Sequence, residues 1–152
     1  PEIERVFKSV LGQTSGSIFF IVLYLSALFI SITPTYFKKK DNASYYSLGA
    51  SGAVSAIIFA YVLINPMNYM GVLFIPIMLP AFLFGLIFIL ISVSLDKKQA
   101  GGINHSAHIT GGIYGIIYMI AIFFVFADIN LINSFISQIK INSISDLFYF
   151  GF

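Results

Sequence analysis

The chain has 152 residues, of which 59% are hydrophobic, 17% aromatic and 9% charged, with a net charge of +2 and a mean hydropathy of +0.95. A water-soluble domain carries about 25% charged residues, so this composition excludes a soluble globular domain, a disordered tail and a nucleic-acid binder working through a basic face. The lipid bilayer is its expected surroundings, and the lack of any Cys removes disulfides, thiolate metal sites and Cys nucleophiles together.

The first residue is Pro1, and no pattern of basic, apolar and small-residue regions marks a signal peptide. The chain is therefore expected to be a piece of a longer protein. Its few charges serve as punctuation, leaving three long uncharged stretches at 9–37, 42–95 and 99–127. A helix needs roughly 20 apolar residues to cross about 30 Å of hydrocarbon. The first and third stretches suit one span each, whereas the middle one would run to about 80 Å as a single helix. Its weakest helical segment, Asn65-Pro66-Met67-Asn68-Tyr69-Met70-Gly71, reads as a turn. Open sheet edges are excluded in hydrocarbon, so the expectation is an all-α membrane protein, a polytopic bundle of about four transmembrane helices at 16–36, 48–64, 72–95 and 106–127. Pro80 then falls inside the third helix and should kink it. Residues 129–152 are too polar to span, and their aromatic end, Phe148 to Phe152, suits an interfacial or poorly ordered tail.

All six acids lie outside the expected spans, so the polar residues at the helix rims become the functional candidates. Gly49-Ala50-Ser51-Gly52 opens the second helix, and His105-Ser106-Ala107-His108-Ile109-Thr110-Gly111 opens the fourth. These two helices run in the same direction, and each motif follows a charged loop by about ten residues, so Ser51 and His108 should share one depth below one membrane face. Packed side by side, they would come within hydrogen-bond reach, the hydroxyl as nucleophile and the imidazole as its base. The glycines Gly52, Gly111 and Gly115 permit close helix approach. Backbone N–H groups near Gly49 and Ser51 belong to a helix start and are free to hold an oxyanion. Each feature has a bland reading: Ser and Gly are common at membrane helix interfaces, and His105 reads as an interfacial polar residue. His105 and His108 lack a third ligand, so no metal site and no cofactor are expected.

The paired motifs, Gly-Ala-Ser-Gly and, one span later, Ala107-His108-Ile109-Thr110-Gly111 with Gly115, resemble the rhomboid intramembrane serine proteases. The resemblance covers almost the whole chain. It implies a rhomboid-like fold, with 1–128 as part of the transmembrane domain, Ser51 as nucleophile and His108 as base. It also implies that the family's first two membrane helices, with side-chain donors to the oxyanion, lie upstream of Pro1, so that the isolated chain should be inactive. Transmembrane proteins are the implied substrates, the bilayer the only other partner, and a bacterial cell membrane the implied location. One helical turn after the serine the family commonly carries a Tyr or Phe that stacks on the imidazole, whereas this chain has Ser55. Five lysines, Lys38 to Lys40 with Lys97 and Lys98, occupy the loops that the family turns to the outside, against the positive-inside rule.

Two other classes compete with an endopeptidase. A catalytically inactive rhomboid-like protein would bind membrane helices without cutting them, and would need neither Ser51 nor His108. A transporter or channel fragment would use a broken helix at Pro80, but no acid or base lies at mid-membrane to couple ions.

Overall fold

In the computed structural model, residues 1–44, 50–71, 77–98 and 104–150 are described. Acidic residues at the start of the chain and Lys8 four positions after Glu4 favour a first helix, α1 (Glu2–Leu11), whose apolar side buries Ile3 and Phe7. Gly12 then turns the chain at φ +87°, a conformation that only glycine adopts readily. The next helix, α2 (Gln13–Lys39), folds back on α1, and a Cβ at Gly16 would stand 2.5 Å from the Lys8 backbone. It rises about 40 Å at 1.5 Å per residue.

A short third helix, α3 (Ser51–Ile64), sits at the centre, buried among the others along most of its length. It ends where Pro66 restricts Asn65 to a non-helical conformation. The expected start of the next helix, residue 72, lies outside the described residues, and the chain on either side of it is not helical. That chain forms β1 (Tyr69–Gly71) and β2 (Ile77–Pro80), paired antiparallel with Tyr69 opposite Pro80 and Gly71 opposite Met78. The fourth helix, α4 (Ala81–Lys98), starts only after Pro80. Pro80 therefore kinks nothing: it stands just before the helix, where its missing N–H is not needed. The amides of Ala81 and Phe82 bond the carbonyls of Asn68 and Pro66, tying α4 to the preceding turn.

The fifth helix, α5 (His105–Ala127), starts at Asn104, whose side chain accepts the Ala107 N–H at 3.0 Å. It ends at Asp128 in the left-handed conformation. Beyond it the tail folds onto the bundle. Asn130 caps α6 (Leu131–Gln138), Leu131 is buried, and β3 (Tyr149–Phe150) pairs with β2, Ile77 opposite Phe150. The described residues are thus mostly helical, with a small three-stranded sheet in the order β1-β2-β3. Its first two strands lie between α3 and α4 in the chain.

Two helices among the described residues, α2 and α5, are long and apolar enough to cross a membrane, against the four expected. With 14 residues, α3 rises only about 21 Å, and α4 ends on the charged run Asp96, Lys97, Lys98.

Candidate active site

Small residues set the close spacing of α3 and α5. A Cβ on Gly111 would collide with the Gly52 carbonyl, and one on Gly115 with the backbone of Ala56. The offset in numbering is the same for both pairs, so the helices run parallel. That register sets Ser51 level with Thr110, about 3 Å along the axis from His108. Gly52 also lies where a third helix arrives: a Cβ there would meet the Ser31 hydroxyl of α2 and stand 3.1 Å from the Ala107 carbonyl.

Ser51 is the first residue of α3 and is exposed, with Ala50 at the cap and no side chain occupying it. The first intrahelical amide bond runs from Val54 to Ala50. The N–H groups of Ser51 and Gly52 therefore have no partner within the helix. Gly49, expected to supply another oxyanion donor, lies outside the described residues. Ser55 donates to the Ser51 carbonyl at 3.0 Å.

His108 is half-buried in the first turn of α5. No hydrogen bond joins it to Ser51 among the described residues; their helices touch, but the two side chains are not paired. Two rings flank the imidazole: His105 edge-on at 5.8 Å and 84°, and Phe88 of α4 at 5.9 Å and 31°. His105 is not the interfacial residue expected. It is 8% exposed, and its Nδ1 is buried without a partner among the described residues. The start of α5 is further anchored by Thr35 of α2, which donates to Asn104 Oδ1 at 2.8 Å. No cluster of three metal-ligating side chains occurs among the described residues.

The family model of the Rhomboid domain matches residues 4–126. The chain belongs to the rhomboid family. Rhomboid proteins are integral to the membrane, are in general serine proteases of the bilayer, and act there on membrane proteins. Comparison with curated proteins gives no match, and comparison with solved structures gives none. The rhomboid match spans both motifs and the packed glycines between their helices.

Sequence reasoning missed Phe88, Asn104 and Thr35. Asn104 carries a local signal, a capping residue just before the apolar run of α5. Thr35 and Phe88 carry none, because each acts across helices distant in sequence.

Proposed function

We propose that this rhomboid protein is an intramembrane serine endopeptidase whose nucleophile is Ser51 and whose general base is His108. Ser51 Oγ attacks the scissile carbonyl of a membrane-anchored substrate as His108 accepts its proton. The imidazolium then returns that proton to the leaving amine, and water releases the acyl group by the same exchange. Backbone N–H groups at the start of α3 hold the oxyanion, each such donor being worth about 10² to 10³ in rate. The exposure of Ser51 at its helix start supplies a route for water. Substrate helices unwind near the cleaved bond, since a regular helix shields its carbonyls.

The observation that carries this reading is the glycine-set register of α3 and α5, in which Ser51 and His108 differ by about 3 Å along the axis, within one turn of the helix contact. The alternative, a rhomboid protein that binds membrane helices without cutting them, draws on the missing Ser51–His108 hydrogen bond. Apo sites often hold such pairs loosely until substrate arrives.

Cleavage of a transmembrane reporter by the full-length protein tests the assignment. Ser51→Ala and His108→Ala should each lower turnover by a factor on the order of 10³ or more, at unchanged protein level. His105→Ala should retain measurable activity. Full turnover in Ser51→Ala would falsify the assignment.

A further inference from the structure

In this chain the residue one turn after Ser51 is Ser55, whose hydroxyl is turned back to the Ser51 carbonyl at 3.0 Å. It offers the imidazole no ring. The ring comes instead from another helix. Phe88 of α4 lies with its centroid 5.9 Å from that of His108 at an interplanar angle of 31°, within the range at which aromatic pairs attract beyond their simple burial. Phe88 is itself backed by Phe59 of α3 at 5.9 Å and by Phe84 at 6.4 Å. Phe59 is 3% exposed and packed on Gly112 of α5, where a Cβ would stand 2.7 Å from its ring. The imidazole thus has two ring neighbours, His105 at 5.8 Å and a Phe88 ring that is itself packed against the α3–α5 contact.

We propose that Phe88 is the positioning residue for His108, fixing the rotation of the imidazole so that a ring nitrogen faces Ser51. This rests on the reading of Ser51 and His108 as the catalytic pair. Both helices that carry the pair are locked together by glycine, but the side chain of His108 is free to turn about its own bonds. A flat apolar neighbour restrains that rotation without competing for either nitrogen, which a hydrogen-bonding partner would do. Because the ring belongs to α4, which packs less closely on α3 and α5 than these pack on each other, the base is in place only while α4 is docked.

The test uses the full-length protein in membranes and two readouts, the rate of Ser51 labelling by a fluorophosphonate and the kinetics of reporter cleavage. Phe88→Leu should slow labelling and lower kcat by about tenfold or more, with KM changed less than about threefold. Phe88→Tyr, which keeps the ring, should stay within about threefold of wild type. Leu90→Ala, a truncation at an exposed position of the same helix, should also stay within about threefold. Should Phe88→Leu fail to accumulate, Phe88→Met, close in volume but without a ring, is read in its place. Labelling of Phe88→Leu at the wild-type rate, or an equal loss in Leu90→Ala, overturns the role of Phe88 alone. Wild-type protein that is not labelled at Ser51 overturns the catalytic reading and this proposal with it.

Discussion

At the scale of single residues, what this chain needs most is the absence of side chains. Gly111 and Gly115 face Gly52 and Ala56 so closely that a Cβ would meet backbone rather than a movable side chain. Backbone cannot give way without parting the helices. Gly111→Ala should therefore cost about 1 to 3 kcal/mol, the usual range for overpacking, and lower activity beyond its effect on stability, because Ser51 and His108 part with the helices. Thermal unfolding in detergent, read beside turnover, checks this; unchanged melting would contradict the close contact. The glycine spacing and the two motif residues were legible in the sequence because each is a local pattern. Phe88 was not: its role comes from three helices meeting, and the only local hint was the missing ring at Ser55. The burial of His105 was equally hidden, since a His at a helix start has the same sequence signature whether it faces solvent or core.

At the scale of elements, the helix whose start was misread shows how far periodicity carries. An uninterrupted apolar run does not distinguish a buried helix from a buried strand, so the sequence placed a helix from 72 where the structure has β2 at Ile77–Pro80. For α5 the reading of 106–127 lies within one residue of His105–Ala127 at either end, because Asn104 and the charged Asp128 bound it. The tail is tied down by Leu131, buried at 6% exposure in the core, and by the pairing of β3 with β2. Leu131→Ala should cost about 2 kcal/mol, near the lower end for a buried Leu, measured as a lower melting temperature. Asp146 accepts the N–H groups of Asn142 at 2.8 Å and Ser143 at 3.0 Å, and these bonds hold its carboxyl below the ordinary value of 3.8. A lowered carboxyl stabilises the fold above its unfolded pKa and loses that contribution as pH falls through the folded value. Amide protection of residues 142–148, corrected for intrinsic exchange, should therefore drop as pH falls below about 4. Asp146→Asn should show no such step.

At the scale of the molecule, a 14-residue central helix sits among helices of up to 27 residues. It rises about 21 Å against a hydrocarbon thickness of about 30 Å. It is therefore too short to cross the hydrocarbon by itself. The rhomboid assignment covers this whole arrangement; the catalytic assignment rests on Ser51 being a nucleophile activated by His108. Mass spectrometry of the full-length protein after fluorophosphonate treatment in its membrane tests that claim most directly. The account predicts a single adduct on Ser51 that vanishes in His108→Ala, whereas an unmodified Ser51, or an adduct that forms at the wild-type rate without His108, would contradict it.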